Sequence, residues 1–227
     1  MIINISRVSG NKQGEELFEA EFQDGTKKIF NTWDYVSLYK HAHLYEMIYC
    51  DILKCTVYSE ICSLLSKKAN TAADKLMVLD IACGSGLMGR YLKLNIPAKI
   101  ELLVGVDILP EAINALNRDT PGIYDKAYVV GESGMKELSE YHFNCMTVCA
   151  AANYMEPEDY KQYVGLLSQD AYVVFDLTDD KGNGNKVKIL DWMNRNCHLC
   201  GNKLYDHREL MDGSVIQHEV FLYRKGY

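Results

Sequence analysis

The chain of 227 residues contains no run of 18 or more apolar residues, so no segment reads as a membrane-spanning helix. Residues 1–10 lack the charged-then-apolar layout of a secretory signal. Basic charge is in deficit, with 24 Lys and Arg against 31 Asp and Glu and a formal net charge of −7. That balance argues against a protein whose main task is gripping phosphate backbones. Cys-x-x-Cys occurs once, at Cys197-His198-Leu199-Cys200. With no second pair at ligand spacing, no zinc site is predicted. Internal repeats and low-complexity tracts are also missing. These absences predict a cytoplasmic protein without metal, nucleic acid or membrane as partners.

Apolar residues make up 48% of the chain, enough for a single core in one domain with modest additions. The eight cysteines fall on helical stretches, strand faces and loops, and suit small buried hydrophobes in a reducing compartment. The most informative segment is Val78-Leu79-Asp80-Ile81-Ala82-Cys83-Gly84-Ser85-Gly86-Leu87-Met88-Gly89. An apolar run enters a glycine turn, a helical stretch follows, and a second apolar run, from Ile100 to Val106, stops at Asp107. Strand, glycine loop, helix, strand and acid form a nucleoside-binding unit. Glycines let the backbone come close to a ligand. Asp107, 23 positions after Gly84, can accept hydrogen bonds from both ribose hydroxyls.

Gly84-x-Gly86-x-x-Gly89 also satisfies the dinucleotide pattern, so a nicotinamide oxidoreductase is one reading. Asp80 points elsewhere: its carboxylate would repel a pyrophosphate and attract the sulfonium and amino group of S-adenosylmethionine. The long helical lead-in before the motif is also unusual for dinucleotide domains. Here the chain resembles the class I S-adenosylmethionine-dependent methyltransferases, whose first motif typically reads hydrophobic-hydrophobic-Asp-x-Gly-x-Gly-x-Gly. Ala82 stands where the first glycine usually is, which tightens the turn slightly.

The resemblance spans roughly residues 35–225 and agrees with the strand–helix alternation from Leu76 onward. It implies an α/β fold with a doubly wound, mostly parallel seven-stranded sheet, closed by an antiparallel pair over Lys203–Arg208 and Val215–Tyr223. Three parts are expected. Residues 1–31 form a short β-hairpin around Asp24-Gly25, residues 32–70 a helical lid, and residues 71–227 the S-adenosylmethionine-binding α/β domain. The hairpin packs on the main domain or on a second subunit, and a homodimer through it is one expectation. Thr32 is the expected cap of the first lid helix, and a second helix is expected from Asp51 to Ser66.

Ligands of open α/β sheets sit beyond the carboxyl ends of the strands. Asp80, Ala82, Cys83, Gly84 and Gly86 are therefore expected around the methionine half of the cofactor. Asp107 is assigned to the ribose and Ile108 to the adenine face. In similar methyltransferases an acid after the third strand borders the adenine amino group, which implies that role for Glu132, with Ser133 beside it. Ala150 and the alanines after it let the cofactor pass close to the fourth strand. Asn153 and Tyr154 would face the methyl acceptor, although Tyr154 could equally pack under the helix that follows. Trp33, Tyr35, Tyr39 and His43, with Tyr45, are the lid candidates, either lining the site or filling the helix–sheet interface. His207 and His218, on the last two strands, are candidate bases, with Asp176 and His207 assigned the task and Tyr154 a further catalytic candidate; a purely structural role is open for both histidines.

A small-molecule N- or O-methyltransferase is the leading expectation. A cyclase or lyase that consumes S-adenosylmethionine and releases methylthioadenosine is the alternative on the same fold. A non-catalytic cofactor-binding scaffold subunit is the third.

Overall fold

A computed structural model describes residues 1–71, 73–130, 134–178 and 184–226. Strands β1 (Ile2–Ser9), β2 (Leu17–Phe22) and β3 (Lys27–Asn31) form an antiparallel sheet in that order. The expected hairpin is β2–β3, turned at Asp24-Gly25. β1 is an addition: most of its residues are exposed or only half-buried, so it shows no clean alternation.

The sheet is fastened to its own chain. Buried Glu16 accepts from the Gly14 N–H at 2.7 Å and the Thr32 hydroxyl at 3.3 Å, and it pairs with the Arg208 guanidinium. Arg7 lies 3.7 Å from the same carboxylate. A buried charge needs such partners, because desolvation is otherwise uncompensated. Thr32 is thereby committed to Glu16, and Asp34 caps the first helix instead, accepting from the Ser37 N–H.

The segment after the sheet is more broken than its periodicity suggests. It contains α1 (Tyr35–Tyr39), α2 (Leu44–Glu46), a π-helical turn (Met47–Ile52) and α3 (Val57–Ser66). His43 and Lys54 adopt left-handed backbone angles, φ 57° and 51°, and break the continuous helices expected there.

The large sheet comprises β4 (Lys75–Ile81), β5 (Lys99–Asp107), β6 (Lys126–Val129), β7 (Phe143–Val148), β8 (Leu167–Thr178), β9 (Cys197–Glu209) and β10 (Val215–Lys225). Its order is β6-β5-β4-β7-β8-β10-β9, with parallel pairing from β6 to β8 and β10 antiparallel to both neighbours. The strand order reverses at β4, where a crevice opens between the β4 and β7 carboxyl ends. Helices α4 (Leu87–Asn95), α5 (Pro110–Asp119), α6 (Gly134–Leu138), α7 (Pro157–Gly165) and α8 (Gly184–Asn196) connect the strands. α7 begins as its sequence requires, with Pro157 in the first turn and a reciprocal capping box between Glu156 and Asp159. No helix among the described residues is long and apolar enough to cross a membrane.

Candidate active site

A cavity of about 540 Å³ opens at the carboxyl ends of β4, β5 and β7, within the size range of small-ligand sites. The structure brings together there Tyr35, Tyr39, Ala82, Asp107, Ile108, Ala150 and Tyr154 from the sequence candidates. Tyr45 joins them. Cys149, Met155, Asp159 and Tyr163 also line the wall and were not singled out as site residues. Their participation depends on how α7 and the β7 end fold back, which no short-range signal marks.

Asp107 ends β5 and faces this cavity. Its Oδ2 accepts from the Gly84 N–H at 3.0 Å and its Oδ1 from the Leu109 N–H at 2.9 Å. An ionised carboxylate has about four lone-pair sites, so each oxygen keeps acceptor capacity for a ligand. Burial raises the Asp107 pKa above the ordinary carboxylate value, against the opposing pull of those backbone N–H groups.

The glycine turn does two separate jobs. Gly84 and Gly86 take left-handed backbone angles, φ 55° and 88°. A Cβ on Gly84 would lie 2.6 Å from the Tyr39 hydroxyl, so that phenol rests directly on the turn. Gly89 makes room for a side chain. A Cβ there would lie 2.5 Å from the Tyr124 ring, and Gly105 on β5 leaves room for the same ring. Cys83 and Gly84 line a recess of about 20 Å³ beneath Tyr39 rather than the main cavity.

Asp80 is a correction to the sequence reading. It is fully buried, with Oδ2 accepting from the Tyr124 hydroxyl and Oδ1 from the Thr147 hydroxyl, both at 2.6 Å. Asp80 lies one layer below the turn, outside the residues that line the cavity, and this burial keeps its carboxylate from facing a sulfonium there. Burial pushes its pKa up to about 6, with the two hydroxyl bonds opposing.

Asp176 and His207 also lie beneath the cavity. Asp176 Oδ1 accepts from the Ala150 N–H at 2.7 Å, and Oδ2 bonds His218 Nδ1 at 2.7 Å and the Tyr205 hydroxyl at 3.3 Å. Burial would raise its pKa, but the hydrogen bond and charge of His218 outweigh this and hold it below the ordinary value. The pair supports Ala150, whose φ of 56° is left-handed. His207 stacks on His218 with ring centroids 4.0 Å apart, and burial pushes its pKa down to about 3. Neither group reaches the cavity wall, so neither is placed to take a proton from an acceptor there.

Three further candidates stand apart. Trp33 lies over Gly14, in the connection from β1 to β2. His43 pairs with Glu46 at 3.4 Å outside the cavity. Asn153 accepts from the Thr178 N–H at 2.9 Å behind the wall. Glu132 and Ser133 lie outside the described residues. Among the described residues, no cluster of three or more His, Cys, Asp or Glu side chains is arranged to hold a metal ion.

No protein-family model matches the chain, and no curated protein matches it. Solved structures do. The N-methyltransferase NodS from Bradyrhizobium japonicum WM9, in complex with S-adenosyl-L-homocysteine, superposes with a TM-score of 0.61 at 11% identity, covering 87% of this chain and 100% of that one. Magnesium protoporphyrin IX methyltransferase ChlM from Synechocystis PCC 6803, with bound S-adenosylmethionine, gives 0.52 at 11% identity, over 75% of this chain and 78% of that one. PH1948 from Pyrococcus horikoshii, provisionally assigned as an RNA methyltransferase, gives 0.53 at 12%, over 75% and 83%. The chain has the class I methyltransferase fold. These neighbours share its architecture while their acceptors differ.

Proposed function

We propose that this protein transfers a methyl group from S-adenosylmethionine to a small-molecule N or O acceptor. The observation that carries the reading is Asp107, a carboxylate on the wall of the 540 Å³ cavity with acceptor capacity left on both oxygens. Those oxygens fit a ribose diol. Ile108 and Leu109 supply apolar surface beside it, and Ala82 carries the chain from the β4 end into the turn.

S-adenosylmethionine would supply a methyl carbon already activated by the sulfonium. The chain's own residues have the remaining work, which is to align the acceptor and exclude water. Tyr35, Tyr39 and Tyr45 cover the cavity from the N-terminal helices, and Tyr154 stands at its rim, 65% exposed. The acidic balance of the chain supports a small acceptor over a nucleic acid. All eight cysteines are free, which fits a reducing, cytoplasmic setting.

Calorimetric titration with S-adenosylhomocysteine tests the site. Asp107→Ala is expected to weaken binding by roughly a hundredfold, the loss of two charge-assisted hydrogen bonds. Unchanged affinity would remove Asp107 from the site. Mass spectrometry of turnover products then separates methyl transfer, which leaves S-adenosylhomocysteine, from the cyclase reaction, which leaves methylthioadenosine.

A further inference from the structure

The charge of the cavity wall is one-sided. Its charged members among the described residues are Asp107 and Asp159, and no Lys, Arg or His lines it. Nearby cations are already engaged outside: Arg90 pairs with Glu46, and Arg118 with Asp119 at 2.7 Å. With Asp107 given to the ribose, Asp159 is the acid left facing an acceptor, and an entering carboxylate or phosphate would lose its water with no cation among the described wall residues to compensate.

The rest of the wall suits the opposite charge. Tyr35, Tyr39 and Tyr45 form a cluster with ring centroids 5.2 to 6.4 Å apart. Tyr35 and Tyr154 also share the cavity wall. Burial raises the pKa of each cavity tyrosine of this cluster, so the rings stay neutral phenols. Neutral aromatic rings attract organic cations through their negative faces, most strongly where water is excluded.

Granting the methyltransferase reading above, we infer that the acceptor is an organic amine carried on an apolar or aromatic body, taken up as its ammonium form. The ammonium loses one proton to water at the open rim beside Tyr154. The amine lone pair then forms the N–C bond as the methyl carbon's bond to sulfur breaks. That electron pair returns to sulfur, so the products are a methylammonium and a neutral thioether.

The test uses protein saturated with S-adenosylhomocysteine and three matched sets of probes. Each set holds an amine, an alcohol and a carboxylate of one shape: 2-phenylethylamine, 2-phenylethanol and 3-phenylpropanoate, then the cyclohexyl and straight-chain hexyl equivalents. In at least one set the amine is expected to bind roughly tenfold more tightly than both partners at neutral pH, the scale of a desolvated cation–π contact. Tyr35→Phe keeps that preference, while Tyr35→Leu reduces it toward equality. Carboxylates or alcohols binding as well as amines in every set, or no probe binding at millimolar concentration, overturns the inference and leaves the methyltransferase reading standing. Failure of S-adenosylhomocysteine itself to bind overturns both.

Discussion

Ala82 holds a φ of 53° at the entry to the glycine turn, a conformation that costs an alanine about 1 kcal/mol. Ala82→Gly is therefore expected to raise unfolding stability by about 1 kcal/mol, read as a higher urea midpoint at unchanged m-value. Gly86→Ala is the opposing control: φ is 88°, and the added Cβ would lie 2.2 Å from the Thr120 hydroxyl oxygen. A midpoint that fails to rise in Ala82→Gly would show that the turn carries no such strain. At this scale the sequence was most legible where chemistry recurs at short spacing. Asp107 and the turn could be placed because an acid at a strand end and glycines before a helix have local causes. Tyr124 could not. Its ring fills the space above Gly89 and Gly105, and its hydroxyl satisfies Asp80. The third glycine of the motif makes room for this ring, which only the folded chain shows.

Among the elements, α1 matters most for access. Tyr39 rests on Gly84, and the recess beneath it measures only about 20 Å³. A ligand approaching the glycine turn would meet that phenol first. α1 is held against α5 by Arg118, which donates to the carbonyls of Tyr39 and His41 at 3.0 and 3.1 Å. Asp119 accepts from the His43 N–H at 3.2 Å on the same side. Arg118→Ala should free the helix and speed S-adenosylhomocysteine association by roughly threefold to tenfold, the worth of one or two such bonds. Stopped-flow measurement reads it, and an unchanged association rate would mean that Tyr39 does not limit entry. The element map itself was readable from Leu76 onward, where buried strands alternate with helices of clear apolar stripe. It was less so before that point. α1 and α2 are too short for a 3.6-residue period to define, and left-handed His43 and Lys54 interrupt them. β1 escaped because an edge strand with most of its side chains exposed or half-buried leaves no alternation to read.

For the whole molecule, two buried groups on different parts of the sheet set opposing pH dependences. The Asp80 pKa is raised to about 6, so the native state keeps a proton there that the unfolded chain has released above its ordinary value of 3.8. That contribution to stability falls as pH rises from about 4 to about 6. His207, pushed down to about 3, has the reverse sign. Between about 3 and 6.5 the unfolded chain holds a proton on this imidazole that the native state does not, so stability rises with pH. Each slope is about 1.4 kcal/mol per pH unit within its window, and from about 4 to 6 they largely cancel. Single substitutions separate them. Asp80→Asn should make the dependence of unfolding free energy on pH more positive by about 1.4 kcal/mol per unit over that range. His207→Phe, which keeps a ring against His218, should make it more negative by the same amount. Urea unfolding at several pH values reads both slopes, and a variant whose slope matches the wild-type protein shows that its group titrates alike in both states. Because Asp80 underlies the glycine turn and His207 stacks on the support of Ala150, matched opposite slopes would also show both foundations of the cavity folding in one cooperative unit.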